Sequence, residues 1–135
     1  MPDFQTMKDQ DMMLDNVARD KLLNALLFFT KRVKYPVDVK IFKLLFMFDF
    51  IHFKQTGESV TSLNYYAWKS GPVPTDLLEE LKSAGGPRDF QQAISVAPFH
   101  AVLDREGFEF TAKQNANLTV FSRREKKILD ELAVT

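Results

Sequence analysis

The sequence predicts a single compact α+β domain, mainly helical, with a central hydrophobic helix and a small β-hairpin. Three observations lead there. Apolar residues recur every three to four positions across residues 16–33, the spacing of one face of a helix, and residues 37–55 form a still more apolar segment with polar positions in two narrow stripes. The stretch Tyr65-Tyr66-Ala67-Trp68-Lys69-Ser70-Gly71-Pro72-Val73-Pro74 joins aromatic side chains to a rigid turn and then to a helix start. Further on, Phe108 and Phe110 alternate with Glu109 and Thr111 directly after Asp104-Arg105-Glu106-Gly107, a hairpin pattern. At 135 residues and 45% hydrophobic content, the chain fits one domain with a real core.

Taken in order, residues 1–14 are polar and rich in methionine, and they are expected to form a flexible N-terminal arm ahead of a domain spanning 15–135. Asp15 is a fair cap for a first helix from Asn16 to Val33, built on Leu22, Leu23, Leu26, Leu27 and Phe29, and Tyr35-Pro36 breaks the chain after it. The second helix, from Val37 to about Gln55, is the most apolar element and carries Phe42, Phe46, Phe48, Phe50 and Phe53. Its polar positions fall into two stripes, Asp38, Asp49 and His52 on one side and Lys40, Lys43 and Lys54 on another. A helix with wide apolar faces between narrow polar stripes is expected at the centre of the domain. Thr56-Gly57 ends it.

Signals conflict between Glu58 and Ser70. Val60, Thr61, Tyr65, Tyr66 and Trp68 suit a strand, whereas Ser59, Thr61 or Ser62 suit the cap of a short helix closing at Gly71, and the balance falls on helix. Pro72 and Pro74 fix their own φ and push Gly71 and Val73 toward extended backbone. Gly71 is free to adopt φ > 0. Thr75, Asp76, Glu79 and Glu80 then place a cap candidate and negative charge in the first turns of a helix running to about Ser83, stopped by Gly85-Gly86-Pro87. Residues 88–98 read as irregular. The hairpin is expected over 100–113, with Ala101, Val102 and Leu103 as its first strand, followed by a loop at 115–119. Ser122-Arg123-Arg124-Glu125 is a capping box opening the last helix.

Lys plus Arg and Asp plus Glu both number 18, so there is no overall basic field of the kind that accompanies general nucleic-acid binding. The absence of cysteine removes disulfides and thiolate metal sites and suits a reducing cytoplasm. The N-terminus is not a signal peptide, and the greasy segment 41–53 is too short and too charged to span a bilayer. A cytoplasmic protein with no membrane contact is expected. No HExxH, P-loop, GxSxG or Rossmann fingerprint occurs, so no catalytic residue, metal or cofactor is expected and the chain reads as a non-enzyme.

Three features carry alternative readings. Asp49 and His52, three apart on one helix face, have the spacing of an acid–base or metal-binding pair, but also of a hydrogen-bonded pair tying the central helix to a neighbour. The Arg123, Arg124, Lys126, Lys127 cluster is suited to phosphates, though Glu125, Asp130 and Glu131 dilute it toward a solvated face. Trp68, the one tryptophan, is either a core aromatic under the turn or an anchor of a binding surface.

Lys43-Leu44-Leu45-Phe46-Met47-Phe48-Asp49, then Thr56-Gly57 and Val60-Thr61, then Tyr66-Ala67-Trp68-Lys69-Ser70-Gly71-Pro72-Val73-Pro74, and finally Phe121-Ser122-Arg123-Arg124-Glu125 resemble, in the same order, the motifs of the Panacea domain, the SocA-like antitoxin family also met as phage-associated proteins. The resemblance covers about Lys21 to Leu132, and the AWKxGPVP element is its most specific part. It implies a bacterial or prophage protein that neutralises a cognate toxin by direct contact, with a protease as a further partner where the antitoxin serves as an adaptor. On that reading Tyr65, Trp68, Lys69, Gly71, Pro72, Val73 and Pro74 bind the partner, while Lys43, Asp49 and His52 are structural polar residues. Family members often continue into a further segment bearing a histidine and a tryptophan, so this chain is expected to be cut short at its C-terminus. The alternative is a prophage-associated DNA-binding regulator using the 123–127 helix, although nucleic acid is not expected from the overall charge.

Overall fold

A computed structural model describes residues 4–69, 71–82, 88–100 and 106–134. Helix α1 runs Phe4–Arg32 and α2 runs Asp38–Thr56. The first helix therefore starts well before Asn16, and residues 4–14, expected as an arm outside it, form its opening turns. Asp15 lies inside α1 rather than capping it. No proline or glycine interrupts residues 4–15, and once a helix is nucleated each further residue of this kind adds to it at little cost. From Leu22 onward α1 buries Leu22, Ala25, Leu26 and Phe29, the expected stripe.

Helix α2 is central, as expected, and packs against α1 and the C-terminal helix as well as both small sheets. Ile41, Phe42, Leu45, Phe48, Asp49 and His52 form its buried face. Gly57 ends it in the left-handed region, φ 82°, with its N–H donated to the Phe53 carbonyl at 2.7 Å. The connector before it is used as well. The Phe110 N–H donates to the Pro36 carbonyl at 2.8 Å, and Val37 bridges to Glu109, so the break between the two long helices is stitched to the hairpin.

The short helix expected over 60–69 does not form. This segment is extended, with strand β1 at Tyr66–Trp68 pairing antiparallel to β2 at Gly71–Val73, in the register Tyr66↔Val73 and Trp68↔Gly71. The strand propensity of the aromatics prevails because the Val60 and Thr61 N–H groups are taken by a buried side chain of α2 and so are withheld from a helix. Gly71 has φ 126°, the conformation anticipated for it. Helix α3, Thr75–Lys82, follows, and the Pro74 carbonyl accepts from the Leu78 N–H at 3.0 Å. Pro74 therefore holds the cap position assigned to Thr75, which is the first helical residue.

Residues 88–98, expected to be irregular, are ordered as α4, Arg88–Ala93, and as most of strand β3, Ile94–His100. Strand β4, Glu106–Ala112, pairs antiparallel with β3, with Val96 opposite Phe110 and Pro98 opposite Phe108. A hairpin does occupy this region, but its first strand lies upstream of residues 101–103, which fall outside the described residues. Pro98 is compatible with a strand because β3 lies at the sheet edge. The loop expected at 115–119 ends in a 3-10 turn at Leu118–Val120, with the Asn117 side chain accepting from Thr119 N.

The last helix, α5, spans Arg123–Ala133 behind the expected capping box. Inside, a chain of edge-on ring contacts links Phe28 to Phe29, Phe29 to Phe48 and Phe48 to Phe121, with centroids 5.6, 6.3 and 6.0 Å apart. It ties α1 to α2 and α2 to the approach of α5. Among the described residues, no helix is long and apolar enough to cross a membrane.

Candidate partner-binding surface

The β1–β2 hairpin is only three residues long on each side, and an isolated ribbon of that size is marginal in water. Two anchors hold it. Val73 and Pro74 are buried, so β2 is fixed to the core against α2. Tyr65, directly before β1, donates its hydroxyl to Asp49 Oδ2 at 2.6 Å and sets its ring edge-on to Phe46 at 5.3 Å.

Asp49 is the knot beneath this surface. Buried on α2, it accepts at Oδ1 from the N–H groups of Val60 and Thr61, both at 2.9 Å, and at Oδ2 from the hydroxyls of Thr61 and Tyr65. A buried carboxylate without such donors would be strongly disfavoured, so the extended loop and α2 fix one another. Burial, and then the adjacent Asp49 charge, push the Tyr65 phenol well above its ordinary pKa, which keeps it a neutral donor. Ser62, just beyond the knot, adopts φ 60°, a left-handed conformation uncommon outside glycine.

His52 is tied separately. Its Nδ1 lies 2.7 Å from the Glu58 carbonyl, which only accepts, so Nδ1 carries the proton. Its Nε2 lies 3.9 Å from Glu125 Oε2. Glu125, buried on α5, also takes the Ser122 N–H on Oε1 at 2.7 Å and the Lys21 ammonium on Oε2 at 2.9 Å. Asp49 and His52 thus have different partners: Asp49 holds the 60–65 loop, and His52 reaches the 58 carbonyl and faces α5.

The remaining predicted residues divide between surface and interior. Trp68 is 51% exposed and its strand neighbour Tyr66 54%, which removes the core reading of the tryptophan. Lys69 is exposed, and Gly71 and Pro72 are partly so. Tyr65, Val73 and Pro74 face inward and support the hairpin instead of presenting it. Lys43, assigned a structural role, is exposed. Successive helical residues turn by about 100°, so the side opposite the core carries Lys43, Phe50 and Lys54 in line with the turn. Phe50 and Phe53 are 45% and 56% exposed. Phe46 stacks on Phe50 at 5.8 Å while touching Tyr65, making the helix face continuous with the base of the hairpin. The sequence pointed to phenylalanine surplus, and the spacing of 43, 46, 50, 53 and 54 was the available signal that some of it faces outward. The contacts of Thr61 with Asp49 and of Glu125 with Lys21 had no such signal, because those partners are 12 and 104 positions away in sequence.

A mainly helical α+β domain, with a short aromatic hairpin locked onto a central helix by a buried carboxylate, is the class these features define. Residues 41–135 match the family described as antitoxin SocA-like, Panacea domain, and the chain belongs to it. The matched span includes α2 from Ile41 onward, the hairpin and α5, the elements bearing the sequence motifs. No curated protein and no solved structure matches this chain.

Proposed function

We propose that this chain is an antitoxin that neutralises a partner toxin by direct protein–protein contact through the Tyr66–Lys69 hairpin. The observation that carries the reading is the exposure of Tyr66 and Trp68 on a hairpin whose other strand is anchored in the core by the buried Val73. Aromatic side chains on a rigid support contribute large contact area with little ordering entropy, the property of interface anchors. The mechanism is mass action without chemistry. Asp49, the best-placed carboxylate, already accepts from two N–H groups and two hydroxyls, leaving it no capacity to act as a base or metal ligand without breaking the loop. A stable complex would bury roughly 1,200 to 2,000 Å² in total.

The test is co-expression. The adjacent reading frame is induced alone and then with this chain, and the two products are co-purified. Relief of growth arrest with co-purification supports the proposal, and a Trp68→Ala variant should lose both while keeping its unfolding midpoint. A harmless neighbour, or toxicity that persists with this chain present, would overturn it. Following toxin abundance after synthesis is stopped separates the finer alternatives: a faster decline in the presence of this chain marks an adaptor to a protease, a constant level marks sequestration. The DNA-binding reading has less support, because Asp130 and Glu131 share the exposed side of α5 with the basic residues.

A further inference from the structure

We infer that the outer face of α2 is a second docking strip, continuous with the hairpin, and that its occupant is an acidic segment of the partner protein carrying apolar side chains. The inference rests on the antitoxin reading. Lys43, Phe50 and Lys54 run along one line of the helix, roughly 16 Å from first to last at 1.5 Å per residue. All are exposed, as is Phe53 beside them. The Lys54 ammonium lies 5.5 Å from the Phe50 ring centroid, so cation and ring form one surface. The same helix segregates its acids elsewhere: Asp49 is buried under the hairpin, and Asp38 packs over β4, where a Cβ on Gly107 would come within 2.8 Å of its Oδ1.

A protein with no net charge has therefore placed an apolar, purely cationic strip beside its aromatic hairpin. Phenylalanine rings left in water favour burial, and lysines along such a strip are complementary to carboxylates on whatever buries them. Single-stranded nucleic acid fits less well. It is bound where a positively charged groove tracks the backbone, whereas this strip is the convex ridge of one helix.

Carbodiimide cross-linking of the full-length chain with the product of the adjacent reading frame tests this, since the reagent joins a lysine amine directly to a carboxylate. Cross-links from Lys43 or Lys54 to aspartate or glutamate of the partner are expected. A Lys43→Glu/Lys54→Glu variant should bind at least about tenfold more weakly, with a flatter salt dependence, while Lys43→Arg/Lys54→Arg binds as wild type. Should the reversed variant fail to fold, the cross-links on the wild-type chain decide alone. If the wild-type chain does not capture the neighbour's product, the antitoxin reading falls and this inference with it. If it does, but no cross-link involves these lysines or the folded, reversed variant binds unchanged, only the strip is refuted. Capture abolished by nuclease treatment would assign the strip to nucleic acid and also overturn it.

Discussion

Asp49 shows how a single side chain can fix a segment that local propensity leaves undecided. Its carboxylate replaces the backbone partners that Val60 and Thr61 would otherwise have sought within a helix, and it orients Tyr65 at the foot of the hairpin. Replacing it with alanine orphans two buried N–H groups, and Asp49→Ala should cost about 3 kcal/mol or more in urea unfolding. Tyr65 gives a pH signature. Its folded pKa is raised above the unfolded value of 10.0, so its contribution is fully present below about pH 10 and is lost as pH rises beyond that, where the unfolded chain ionises first. Stability measured from pH 8 to 11 should fall less steeply in Tyr65→Phe than in the wild type. The sequence carried both residues within recognisable motifs, but not their contact, since 16 positions separate them.

At the scale of elements, the C-terminal end of α2 and the start of α5 were legible, and the start of α1 was not. Gly57 and the Ser122–Glu125 box act through neighbours in sequence, and both appear where the sequence placed them. The start of α1 and the strands β1 and β3 were misjudged, because nothing local stops a helix at residue 15 and because pairing with β2 and β4 decides those strands. Glu125 serves two elements at once, capping α5 and receiving Lys21 from α1. Ser122→Ala should therefore lower stability by about 1 kcal/mol, the ordinary loss of a cap. Glu125→Ala should lower it by more, about 2 to 3 kcal/mol, because it also strands a partly buried ammonium. Denaturant midpoints of the two variants at constant slope would check the order.

Across the whole molecule, the aromatic chain from Phe28 to Phe121 joins the N-terminal helix, the central helix and the C-terminal segment into one core. Phe48, wholly buried at its middle, touches a ring on either side. Phe48→Ala should cost about 3 to 5 kcal/mol and lower the thermal midpoint of the entire domain in a single transition. Two separate transitions would show that the two halves fold independently. The sequence by itself determined the helical class, the central place of α2, the turn at Gly71, the cap of α5 and the family, since each rests on spacing or motif within a short window. Only the tertiary structure decided which phenylalanines face water, that Trp68 is presented while Tyr65 and Val73 support it, and that Asp49 and His52 serve different neighbours. Those outcomes depend on what lies across the fold from each side chain, and the identity of that neighbour is set by packing between segments far apart in the chain.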